Sequence, residues 1–126
     1  MTYTDINKIG ISLNERLDTL EFYKDDLDIL DNRLLEISRK NTGNEVLQRV
    51  EHFQNQFDLQ RQNISDLQHK IRSATHSCSE DVKFHNGKVS TVVTDSLKTL
   101  DNEIGLFEKN MKTLRAEYND FLAKWM

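Results

Sequence analysis

Proline is absent from this chain. Nothing in its 126 residues therefore forbids very long helices, since proline alone both lacks the backbone donor and clashes with the preceding turn. Cysteine occurs once, at Cys78, which excludes an internal disulfide and a redox pair. The four glycines are isolated, so no glycine-rich phosphate loop exists. Long apolar runs are missing as well. No stretch approaches the roughly 18 consecutive apolar residues of a membrane span, and Met-Thr-Tyr-Thr-Asp at the start lacks the basic and apolar regions of a signal peptide. Positive charge is also short. Lys and Arg number 17 against 21 Asp and Glu, a net charge of −4, whereas nucleic-acid binding normally needs a basic stripe. The expectation is a soluble, cytoplasmic protein with neither a membrane nor a nucleic acid as partner.

What the chain does have is an apolar repeat. Val93, Leu97, Leu100, Ile104, Phe107, Met111, Leu114, Tyr118, Phe121 and Trp125 alternate at spacings of four and three. A period of 3.5 puts them on one stripe of an α-helix, and such a stripe requires partner helices to cover it. Charged residues at 30% and apolar ones at 37% give the balance of a solvated rod with a narrow core. The sequence thus predicts an all-α protein: an antiparallel bundle of three long helices with coiled-coil-like heptad packing, as one domain over residues 1–126.

The predicted helices cover about 5–40, 44–85 and 88–126. In the first, Ile6, Leu13, Leu20, Leu27 and Leu34 alternate with Ile9, Arg16, Tyr23, Leu30 and Ile37, and only Arg16 breaks the seam. Thr4 or Asp5 can cap its first turn. Lys40-Asn41-Thr42-Gly43-Asn44 then reads as a stop, with a left-handed Gly or Asn, and Thr42 with Glu45 has the spacing of a capping box. In the second, Val46, Val50, Phe53, Phe57, Gln60, Ile64, Leu67, Ile71 and Ala74 keep the spacing, with Gln60 the single polar member. Where this helix ends is open between three readings: a turn at Asn86-Gly87, a break in the Ser/Thr run at 73–79, and a small hairpin pairing 82–84 with 89–91 around Asn-Gly. A fold-back at 42–43 would bring Tyr23 within a turn of Gln60, predicting a hydrogen bond between them or to a neighbouring polar group. Tyr118, Phe121 and Trp125 are expected beside Ile37, Val46 and Val50. Gly10 and Gly105 sit inside helices, where glycine costs up to about 1 kcal/mol against alanine, and suggest close helix approach.

Few residues have the makings of chemistry. His76 with Glu80, and Asp81 with His85, lie four apart and share a helix face if the second helix continues. They are the candidate metal ligands, yet zinc wants at least three protein ligands and no Glu-x-x-His occurs. Solvated surface side chains near a turn are the simpler reading. Cys78 falls on the seam and reads as a small buried residue. Asp25, Asp26, Asp28 and Asp31 lack the glycine turn of a calcium loop and read as a salt-bridged face. Outside the seams, Phe22, Ile29, Leu59, Val92 and Leu106 take outer positions, and Phe22 and Ile29, seven apart, make a second small stripe. Phe22, Ile29 and Leu106 are the candidate interaction surface.

At Val50-Glu51-His52-Phe53-Gln54-Asn55-Gln56-Phe57, at Lys40-Asn41-Thr42 and at Phe121-Leu122-Ala123-Lys124-Trp125-Met126, the chain resembles a group of short, uncharacterised all-helical bacterial proteins. The resemblance covers most of its length. It implies a shared fold and brings no activity, cofactor or site residue with it. The expected function is non-enzymatic and cofactor-free: a scaffold or oligomerisation module acting through protein contacts, with a homodimer through Phe22, Ile29 and Leu106 as the specific form. The alternative is a metal- or small-ligand-binding bundle using the His76/Glu80/His85 end.

Overall fold

Each seam forms one long helix. The computed structural model describes residues 3–82 and 88–125, in which α1 (Ile6–Lys40), α2 (Asn44–Val82) and α3 (Thr91–Trp125) form an all-α bundle. Contacts between side chains set the directions. On α2, Arg61 meets Asp28 and Asp31 of α1 at 3.1 and 3.0 Å, and Gln68 donates to Glu21. Lys70 pairs with Glu103, and Glu45 with Lys124. Rising numbers on α2 thus meet falling numbers on both neighbours, so α2 is antiparallel to each. Arg16 pairs with Asp101 and Arg115 with Asp26, which makes α1 and α3 parallel.

The buried residues are the seam residues. Leu13, Leu20, Leu27 and Leu34 from α1, Phe53, Phe57, Ile64 and Ile71 from α2, and Ile104, Phe107, Met111 and Tyr118 from α3 all lie in one core. Gln60 is the one buried polar residue among those described. Large aromatics gather toward the end where α1 stops and α2 begins. Phe53 meets Tyr118 at 5.3 Å and Phe121 at 5.2 Å between ring centres, and Phe57 meets Tyr118 at 5.4 Å. Trp125 lines a notch with Ile37 and Asn41. The aromatic end expected for Tyr118, Phe121 and Trp125 is present, built on Phe53 and Phe57 as well as on the smaller residues.

Several local expectations change. Helix α2 runs unbroken through 73–79 to Val82, because Ala74 and Cys78 extend its buried seam and that packing outweighs the weak helix preference of the serines and threonines. The turn expected at Asn86-Gly87, with its neighbours 83–85, lies outside the described residues. Strand β2 (Lys88–Ser90) delays the start of α3 and pairs antiparallel with β1 (Tyr3–Asp5), with Thr4 opposite Val89. Of the hairpin expected between 82–84 and 89–91, Val82 is helical and Val89 pairs with Thr4, while 83–84 lie outside the described residues. Two parallel helices begin at one end of the bundle, so the segments leading into them meet there.

At the other end, the Asn41 backbone and side-chain amides both donate to the Ile37 carbonyl at 3.0 Å. The Gly43 carbonyl accepts from Leu47 N at 3.1 Å, so Gly43 rather than Thr42 holds the cap position of α2. Its φ lies outside the left-handed region. Nor do Gly10 and Gly105 bring helices together, since a Cβ added at either meets nothing within 4 Å.

Candidate interaction surface

The histidine end supplies little. His76 and Glu80 are both exposed on α2, one turn apart, Asp81 occupies its last turn, and His85 lies outside the described residues. No group of three or more His, Cys, Asp or Glu that could hold a metal ion occurs among the described residues. Cys78 is buried on the seam.

The predicted polar pair separates. Helices α1 and α2 are offset so that Gln60 lies level with Leu30, and the Gln60 side-chain oxygen accepts from Asn63 at 3.2 Å. Tyr23 instead packs edge-on between Phe22 and Phe107, each at 5.5 Å. Burial raises its pKa, assisted by Glu108 and Asp26. The fully buried hydroxyl belongs to Tyr118, which donates to the Leu30 carbonyl at 2.7 Å. Desolvation pushes its pKa up to about 12. Sequence placed Tyr118 in the core without its acceptor, because that partner depends on the axial offset of α3 against α1.

Charge is arranged by helix flank. Arg61 gathers Asp28, Asp31 and Asp58. Burial alone would lower its pKa, but hydrogen bonds to Asp31 and Asp28 outweigh that and raise it. Arg115 takes Asp26. The aspartate-rich run is thus a helical, partly salt-bridged face, and its central cation comes from α2, 33 and 30 positions along the chain from Asp28 and Asp31.

The five most exposed apolar residues, Ile11, Phe22, Ile29, Leu59 and Leu106, fall on two flanks. Phe22, Ile29 and Leu106 are 63%, 65% and 59% exposed. On α3, Glu103 and Glu117 face α2, where they meet Lys70 and His52, while Asp101 and Arg115 face α1. Leu106 sits on the α2 side, in a cleft with Asn63, Asp66, Lys70 and Asn110. Leu59 lines the adjoining cleft, which shares Asn110. Phe22 and Ile29 flank Asp26, which faces α3, and Phe22 leans on Tyr23. Leu106 and Leu59 therefore line adjoining clefts between α2 and α3, and Leu106 does not share a face with Phe22 and Ile29. Ile11, 61% exposed, joins the α1 stripe instead. It precedes Phe22 by eleven residues, about three turns at 3.6 residues each, a spacing that a period of 3.5 conceals.

No helix among the described residues is long and apolar enough to cross a membrane. Comparison of the chain with protein families, curated proteins and solved structures returns no match.

Proposed function

We propose that this chain is a non-enzymatic, cytoplasmic scaffold or oligomerisation module that works through protein contacts made by its outward apolar side chains. One observation carries the reading: Ile11, Phe22 and Ile29 form an exposed apolar stripe on α1, apart from the core seam, while Leu59 and Leu106 form a second exposed pair. A single exposed leucine is ordinary on a protein surface, but aligned large apolar side chains mark contact sites. Fully burying each is worth roughly 1.5 to 3 kcal/mol. Either a second copy of the chain or a different protein would supply that cover.

A photoreactive residue placed in turn at Ile29, at Leu106 and at the exposed polar Gln62 tests this in the native host. Discrete protein adducts from an apolar position and none from Gln62 are expected. Silence at both apolar positions would reject a contact function for these surfaces.

A further inference from the structure

The α1 stripe carries charge as well as apolar area. At 100° per residue, Ile11 and Ile29 fall within about 20° of Phe22, and Glu15, Asp18 and Asp25 fall within about 60°. All three carboxylates are exposed, and no Lys or Arg among the described residues pairs with them. Their neighbours differ, since Asp26, Asp28 and Asp31 each hold an arginine. Nor do the two cations of this span compensate: Arg16 is engaged by Asp101, and Lys24 lies about 160° around the helix from Phe22. The face is therefore an apolar stripe with an acidic rim, its central ring held in place by Tyr23 and, behind it, Phe107.

We infer that this face docks a basic amphipathic helix of a partner protein; this rests on the protein-contact reading above and names its partner class. Ile11 to Ile29 spans about 27 Å at 1.5 Å per residue, the length of a helix of about five turns. Such a helix would set apolar residues at i, i+3, i+4 and i+7 onto the stripe and its Lys or Arg onto Glu15, Asp18 and Asp25. A second copy fits less well. A two-fold interface presents the same patch from both sides, which would set this acidic rim against itself, and like charges across an interface are penalised.

The test titrates the full chain into fluorescently labelled amphipathic peptides of about 18 residues, one of leucine and lysine and one of leucine and glutamate, followed by anisotropy. The lysine peptide should bind and the glutamate peptide should not. The pair Phe22→Ser with Ile29→Ser, and separately Asp18→Asn with Asp25→Asn, should each weaken binding at least about tenfold. Gln62→Ser, at an exposed polar position of α2, should leave it unchanged. Circular dichroism checks that each exposed-site variant is folded. Absent binding, or equal affinity in all variants, overturns the inference. A wild-type dimer that Phe22→Ser with Ile29→Ser makes monomeric would keep the contact reading and replace the basic helix with a second copy. Failure of peptide binding together with silence in the cross-linking experiment would sink both.

Discussion

Tyr118 carries more of this fold than its single hydroxyl suggests. Its ring is fully buried among Phe53, Phe57 and Phe121, and its hydroxyl reaches across to the Leu30 carbonyl. That one side chain ties α3 to both other helices. Its pKa is pushed from 10 to about 12 by burial, so the folded state holds a proton that the unfolded chain releases first. Below pH 10 both states are protonated and the contribution is complete; between 10 and about 12 stability falls as pH rises. The gap corresponds to roughly 3 kcal/mol. Tyr118→Phe should flatten this alkaline loss, read as melting temperature against pH, while costing about 1 kcal/mol at neutral pH for the lost hydrogen bond. An alkaline profile identical to that of the wild type would show that Tyr118 does not titrate in this window.

At the scale of the helix, propensity and packing pull on different residues. The Ser/Thr-rich end of α2 is helical because Ala74 and Cys78 continue the seam, so burial there overrides a local preference for turns. Gly105 is the reverse case, a weak helix residue with no packing reason to be glycine. It is exposed inside α3, and an added Cβ meets nothing within 4 Å. Gly105→Ala should therefore raise stability by about 0.5 to 1 kcal/mol in urea unfolding, through the smaller entropy loss on forming the helix. A destabilised variant would mean that something packs closely on that face.

Across the whole molecule, burial runs the length of the bundle, but the buried aromatics Phe53, Phe57, Tyr118 and Phe121 gather toward one end. Phe121 is buried against Phe53, and Leu122 and Trp125 pack on the core beside it. Truncating a buried aromatic costs about 3 to 5 kcal/mol, against a total of about 5 to 15 kcal/mol for a small domain. Deleting residues 121–126 should lower the melting temperature by at least about 10 °C. An unchanged value would show that the last turns of α3 contribute nothing. The opposite end is held differently, by the three-residue strands before α1 and α3, whose pairing joins positions about 85 apart in the chain.

What the residues determined unaided was whatever repeats along one helix. The period of the apolar positions set three helices and nearly every buried residue, because a helical side chain's direction follows from its place in the turn. The place of the stop at 41–43 was also readable, although the cap fell on Gly43 rather than Thr42 and Gly43 is not left-handed. Tertiary structure decided what depends on the offset and rotation of one helix against another. Those set Tyr118 on Leu30, Arg61 between Asp28 and Asp31, and Gln60 away from Tyr23. They also put Leu106 on the α2–α3 side with Leu59 rather than on the face of Phe22. The heptad pattern is nearly the same from one repeat to the next, so sliding one helix by seven residues preserves the seam. Only the packed aromatics and the cross-helix ion pairs distinguish one such alignment from another.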